Sequence, residues 1–227
     1  MRVHVAFTPA EPISAPLGIV VDVMRATSTI AQALASGYRR VLCCAEIDEA
    51  KALRAKLGET AITGGERDAQ RIEGFDAGGS PREFLEPQAE TLILSTTNGT
   101  RAIITAAESC GQVVLGSLLN LRAVAAHAGE RGENTVVLCA GFKDAFAIDD
   151  AFCAGRIVAL LAGERSDAAV ASEVISAHYP NAIDGINART YGPPGLEDDI
   201  AWCAQENLLD VVPRFSRMVG AAAEVTL

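Results

Sequence analysis

Aromatic residues are scarce in this chain, at 5% of 227 positions with a single tryptophan. Only Lys51, Lys56 and Lys143 among the nineteen basic residues are lysines, a compositional bias that carries no functional reading. No segment approaches the roughly 18–20 uninterrupted apolar residues that span a bilayer. The opening MRVHVAFTPAEP has one basic residue and too short an apolar run for a secretory signal, so a cytoplasmic chain without a membrane partner is expected. A basic stripe is missing too. The formal net charge of −10 argues against nucleic acid as a partner, while leaving room for a small anion held by local arginines.

Several catalytic signatures are absent as well. No two glycines stand two apart, so there is no G-x-G dinucleotide fingerprint, and no lysine follows the glycine spacing of a P-loop. The sixth residue after each cysteine is never arginine, which removes the cysteine-phosphatase loop. G-x-S-x-G, the nucleophile elbow, does not occur. The apolar run ending in Asp22 lacks the second aspartate of a haloacid-dehalogenase-like phosphatase. His4, His127 and His178 are too scattered for a metal cluster and read as structural. The six cysteines form no C-x-x-C pair and sit mostly inside apolar runs, as small buried hydrophobes of a reducing compartment do.

What is present is alternation. Short β-type runs are expected at Val3–Phe7, Gly18–Val23, Arg40–Ala45, Thr60–Thr63, Thr91–Ser95, Gln112–Leu115, Thr135–Cys139 and Leu209–Val212. Helical patterns lie between them at Ser28–Ser36, Ile47–Leu57, Thr100–Cys110, Leu118–His127, Asp149–Leu161, Asp167–Ala177 and Glu197–Asn207. Gly37, Gly58, Gly111 and Gly163 stand where helix terminators belong. Several strands are apolar throughout, as in a sheet covered on both faces. The expectation is an α/β chain: a three-layer α/β/α sandwich with a mostly parallel or mixed sheet. Residues 1–227 read as one unit, or as two closely packed lobes with the site between them. Gly64–Pro87 and His178–Gly195 read as long loops, which are more often functional than idle.

In open parallel sheets ligands bind beyond the carboxyl ends of the strands. Those ends supply Asp22, Arg25, Thr27, Ser28 and Thr29, then Glu66, Arg67, Arg71, Glu73 and Asp76. Later ends supply STTNGTR (Ser95–Arg101), Ser117 with Asn120, and Asp149 with Asp150. Polar turns opening onto helices present backbone N–H groups to an anion. Hydroxyls of Thr27, Ser28, Thr97 and Thr100 and the forks of Arg25, Arg67 and Arg101 suit phosphate oxygens. The carboxylates suit a hard ion such as Mg²⁺. Each residue also has a plainer reading. Ser28 and Thr100 can cap helices, Arg101 can be a solvated helix residue, Asp149 and Asp150 can answer a helix dipole, and Arg71 and Glu73 read as loop surface.

DVMRATST, GGER followed by IEGFDAGGSP, TTNGTRAI, GSLLN and CAG…DDAFCAG together resemble the 2-phosphosulfolactate phosphatase family, from about Val20 to Gly155. A weaker echo runs from Leu196 to Phe215. The resemblance implies an α/β, Mg²⁺-dependent phosphatase associated with coenzyme M biosynthesis, acting on the phosphate monoester of a small sulfonated or carboxylated acid. It implies a site of Asp22, Arg25, Thr27, Ser28, Glu66, Arg67, Asp76, Ser80, Asn98, Thr100, Arg101, Ser117, Asn120 and Asp150. Backbone N–H groups around Asn98, Gly99 and Thr100 would complete the anion cradle. Asp22, Glu66, Asp76, Asp149 and Asp150 are the candidate metal ligands, with either water or Asp22 as the attacking group. Asp149 stands where the family pattern has glutamate, and ARTYGPPG lacks the pattern's histidine–glycine pair. A second acid group on the substrate would need a further cation, with Arg71 and Arg189 as candidates. The rival reading is a non-catalytic sensor of phosphorylated metabolites using the same cradle. A homodimer is compatible with either.

Overall fold

The computed structural model describes residues 1–191 and 194–227; Gly192 and Pro193, inside the expected loop His178–Gly195, lie outside the described residues. The strands are β1 (Arg2–Ala6), β2 (Ala15–Val21), β3 (Arg40–Cys43), β4 (Ala61–Arg67), β5 (Gln70–Arg71), β6 (Thr91–Ser95), β7 (Cys110–Gly116), β8 (Thr135–Cys139), β9 (Glu164–Arg165), β10 (Arg214–Val219) and β11 (Ala222–Thr226). The helices are α1 (Ala26–Ala35), α2 (Ile47–Leu57), α3 (Gly99–Ser109), α4 (Leu121–Arg131), α5 (Ile148–Leu160), α6 (Asp167–His178), α7 (Ala182–Asn187) and α8 (Glu197–Cys203). The expected α/β sandwich is what forms.

Among the described residues the strands make one mixed sheet in the order β5-β4-β6-β3-β11-β10-β7-β2-β8-β1-β9. It consists of two parallel blocks, β4–β6–β3 and β7–β2–β8–β1–β9, separated by the antiparallel hairpin β10–β11, with the short β5 antiparallel to β4 at one edge. Three antiparallel pairings lie between β3 and β7, so the two blocks run in opposite senses along the ladder. One apolar cluster nevertheless takes Val20 and Leu138 from one block and Val41 and Leu94 from the other, together with Ile30 and Leu34 of α1 and Ile103 of α3. The sheet therefore bends around α1 and α3.

Side chains alternate along each strand. Neighbouring residues accordingly enter different layers: Leu42 and Ile93 pack with Ala50 of α2, and Ile19, Val21 and Val137 pack with Val124 of α4 and Phe152 and Ile157 of α5. Covered on both faces, these strands have no solvent side to be polar on, and each buried Ile, Leu or Val contributes roughly 1.5–3 kcal/mol of transfer free energy.

Several expectations change. The expected loop Gly64–Pro87 opens inside β4, where Gly64 and Gly65 pair with β6, and it holds β5 and a 3-10 turn at Pro81–Phe84. Leu209–Val212 is not a strand; the strands are the hairpin after it, whose first arm is largely exposed and carries two arginines, so it showed no apolar pattern. Gly111 lies inside β7 instead of ending a helix, because Ser109 closes α3 and the next residues join the ladder beside Ala15 and Leu17. The segment after His178 contains the short helix α7, seated on α5 through Ile186 and Phe152 in the same apolar cluster.

Candidate active site

The turns after β2, β4, β6 and β8 converge on one cavity of about 400 Å³, despite the opposed senses of the blocks. Asp22, Met24 and Arg25 come from the first turn, Glu66, Asp68, Ala69 and Gln70 from the β4–β5 tip, Thr96 to Asn98 from the third, and Gly141 with Phe142 from the fourth. Asp149 and Asp150, in the first turn of α5, form part of its wall with Arg189, Tyr191 and Leu196.

Each acid is fixed by a local reason. Asp22 accepts the Ala26 amide on Oδ1 at 3.1 Å and so closes the start of α1. Asp150 accepts the Val23 amide on Oδ1 (2.9 Å) and the Gly141 amide on Oδ2 (3.0 Å), which ties the turns after β2 and β8 together. Asp149 accepts the Tyr191 hydroxyl on Oδ1 at 2.6 Å. Glu66 accepts the Thr97 amide and hydroxyl and the Ala69 amide, joining the β4–β5 tip to the turn after β6. Gly99 lets α3 begin against this cluster: a Cβ there would stand 2.5 Å from Asp22 Oδ2 and closer still to the Ala26 side chain.

Burial sets the electrostatics. Asp22, Asp149 and Asp150 are 6%, 1% and 4% exposed. Burial, with the charges of Glu66 and Asp149 adding to it, pushes the Asp22 carboxyl up to about 7 although the Ala26 amide and Arg25 oppose the shift. Burial and then the neighbouring charges of Asp149 and Asp22 hold Asp150 well above the carboxylate range. Asp149 is raised by burial and restrained by the Tyr191 hydrogen bond and Arg189. Arg25 and Arg189 are the cations among the lining residues. Arg25 is itself engaged by Asp199 of α8 and by the Ala69 carbonyl. Met24–Arg25 is a cis peptide.

Most of the other nominated residues lie elsewhere, each for a visible reason. The Thr27 hydroxyl donates to the Asp22 carbonyl and the Ser28 hydroxyl to the Val23 carbonyl, so both tie the first turn of α1 to the end of β2 and do not line the cavity. The Thr100 hydroxyl is likewise spent on the Thr96 carbonyl. Ser117 and Asn120 bond each other and are fully buried beneath the start of α4. Ser80 caps a short 3-10 turn, Pro81–Phe84, and donates to Asp199. Asp76 accepts from Thr63 and pairs with Arg54 beside a separate depression, away from the acid cluster. Arg67 clamps the Ala45 carbonyl and Ser95 Oγ between β3 and β6. Arg101 is exposed on α3 and pairs with Glu46. Arg71 turns onto the Phe75 carbonyl. Asn98 lines the cavity, its Oδ1 accepting the Lys143 amide.

Phe142, Tyr191 and Asp199 were not singled out from the sequence. Tyr191 stacks on Phe142 at 4.1 Å between centroids, a pairing across 49 residues that no local pattern announces. Asp199 lies in the Leu196–Phe215 echo, where the consecutive acids Glu197, Asp198 and Asp199 are the signal the sequence offers.

The model of the family described as 2-phosphosulpholactate phosphatase matches residues 5–217. The chain belongs to this family. Relatives described as "Probable 2-phosphosulfolactate phosphatase" include one from Caldanaerobacter subterraneus, 36% identical over 86% of each chain. Another from Clostridium novyi is 34% identical, covering 87% of this chain and 88% of its own. A third, from Carboxydothermus hydrogenoformans, is 36% identical, covering 94% of this chain and 92% of its own. By membership in the 2-phosphosulpholactate phosphatase family the protein is a phosphoric monoester hydrolase. Among the described residues no helix is long and apolar enough to cross a membrane.

The acids of the cavity fit a hard divalent cation by their chemistry. Three buried carboxylates face one space whose lining, among the described residues, offers two guanidiniums, one of them already neutralised. Among the described residues no three acid, histidine or cysteine side chains form a ready ligand shell. Mg²⁺ asks for less, since one or two carboxylates suffice when water and phosphate oxygens fill the remaining positions.

Proposed function

We propose that the protein is a Mg²⁺-dependent, cytoplasmic phosphatase that hydrolyses the phosphate monoester of a small sulfonated or carboxylated acid, 2-phosphosulfolactate in the first place. This would place it in coenzyme M biosynthesis or a related sulfonate route. The observation that carries the reading is the meeting of buried Asp22, Asp149 and Asp150 in one cavity of a chain from this family. Asp22 and Asp149 would hold the metal, which on binding supplies positive charge to the phosphate oxygens.

The chain's own residues do the positioning. Asp150, with both oxygens taken by backbone amides, keeps the turns after β2 and β8 at fixed separation. Glu66 does the same for the turns after β4 and β6. Arg25 is oriented by Asp199 before any ligand arrives, so its remaining donors can meet the phosphate without a rotamer search. The α3 start, Asn98–Gly99, brings a positive helix end beside Asp22. The attacking group is assigned to water. Mass analysis of a quenched single turnover checks this, and a phosphoryl adduct on Asp22 would move the attack to that carboxylate. A sensor of phosphorylated metabolites would gain nothing from three carboxylates beside its anion.

The test is phosphate release from p-nitrophenyl phosphate and from a panel of phosphorylated two- and three-carbon acids, with and without a sulfonate, in Mg²⁺ and in EDTA. Turnover in Mg²⁺, lost in EDTA and fastest on the sulfonated acid, is expected. Tight binding without turnover would replace the reading with the sensor.

A further inference from the structure

Arg189 differs from the other arginines around the site. Arg25 is engaged by Asp199 and Ala69, Arg67 by Ala45 and Ser95, and Arg101 by Glu46. Arg189 lines the cavity, and its Nη1 is buried with no hydrogen-bond partner among the described residues. A buried guanidinium nitrogen without an acceptor is costly and calls for an explanation; of the unpartnered buried side-chain atoms among the described residues, this one belongs to a residue lining the cavity, where a ligand would supply the acceptor.

Its neighbours hold it there. Two residues on, Tyr191 donates to Asp149 and stacks on Phe142. Just before it, α7 sits on α5 at Gly185, where a Cβ would stand 2.5 Å from the Phe152 ring. The same α5 carries Asp149 and Asp150 at its other end. Arg189 is thus braced on both sides against the helix that supplies the acids, and does not hang from a loose tip.

We infer that Arg189 is the residue that recognises the second acid group of the substrate, the sulfonate or carboxylate not being transferred. The inference rests on the phosphatase reading and deepens it by dividing the anion contacts: Arg25 and the acid-held cation take the phosphate, and Arg189 takes the distal oxyanion. A planar fork suits three-oxygen or two-oxygen acids alike. Specificity for a substrate with two acid groups follows, because a phosphate ester without the second acid leaves Nη1 unpaired.

Two measurements test it. The first compares kcat and KM of wild type, Arg189→Gln and Arg189→Lys on 2-phosphosulfolactate and on p-nitrophenyl phosphate, which has no second acid. The fall in kcat/KM caused by R189Q is expected to be at least tenfold larger for the acid substrate, to appear mainly in KM, and to be partly restored by R189K. Equal falls on both substrates, in a variant whose melting temperature is unchanged, overturn the inference and put Arg189 on the phosphate. The second is calorimetric titration with sulfolactate, which has no phosphate and needs no turnover. Binding by wild type that weakens about 10- to 100-fold in R189Q supports the assignment; unchanged binding, or none by wild type, overturns it. If the titration gives the expected result while no phosphate is released from either ester, the phosphatase reading fails and Arg189's role stands.

Discussion

Asp22 is more useful to the site than to the fold. Its carboxyl is buried beside Glu66 and Asp149, and the resulting rise to about 7 measures how unwelcome its charge is. Asp22→Asn keeps the Oδ1 acceptor for Ala26 and removes that repulsion. The melting temperature of the EDTA-treated variant at pH 7.5 is expected to rise above that of wild type, while phosphate release falls on the order of 10²-fold or more. A scanning calorimeter and a phosphate assay on one preparation measure both. Arg101 is the opposite case: it is exposed, and its pair with Glu46 is a surface pair. Arg101→Ala is expected to alter stability by less than about 1 kcal/mol and to leave turnover within a factor of two, against the role its motif implied.

Elements converge here through tight backbone approaches. The start of α3 touches the start of α1 because position 99 carries no side chain. Gly99→Ala must push α3 away from Asp22 and Ala26, and overpacking of this kind costs about 1–3 kcal/mol. Urea unfolding should show that loss, together with a larger fall in turnover than Arg101→Ala produces.

The hairpin β10–β11 has a different fastening. Glu224 is nearly buried on β11 and accepts from Arg217 of β10 at 2.6 Å and Arg40 of β3 at 3.0 Å. Burial alone would raise its carboxyl, but the two arginines outweigh burial and hold it below the usual range. A carboxyl lowered on folding stabilises at pH above its unfolded value and loses that contribution as pH falls through its folded value. Glu224→Gln is therefore expected to cost about 1–3 kcal/mol near pH 7, with the gap to wild type closing below about pH 4.5 in denaturant titrations.

At the scale of the whole molecule, the bend of the sheet joins two blocks that run in opposite senses and leaves a cavity rich in acid between their carboxyl ends. Such a cavity should respond to cation. Mg²⁺ at about a hundred times its dissociation constant stabilises the folded state by about 2.7 kcal/mol, a rise in melting temperature of several degrees for a chain of this size. The rise is expected in wild type and absent when Asp22 and Asp149 are both replaced by asparagine; calorimetry with and without Mg²⁺ decides it.

What the sequence determined by itself was local. Apolar runs bounded by glycine and polar turns set strands such as Thr91–Ser95 and Thr135–Cys139 and the helix Ile47–Leu57, because burial on both faces and helix termination act over a few residues. Its motifs also marked the strand ends from which the cavity is built, and with them Asp22, Arg25, Glu66, Asn98, Asp149 and Asp150. Only the tertiary structure decided which polar side chains at those ends look inward. Thr27, Ser28 and Thr100 satisfy backbone carbonyls one turn away, Ser117 and Asn120 satisfy each other, and Arg67 and Arg101 find partners on neighbouring elements. The hairpin between the blocks and the Tyr191–Phe142–Asp149 contact were beyond local reading for the same reason. A side chain's direction is set by the nearest partner in space, and those partners are supplied by distant segments that the folded sheet brings within reach.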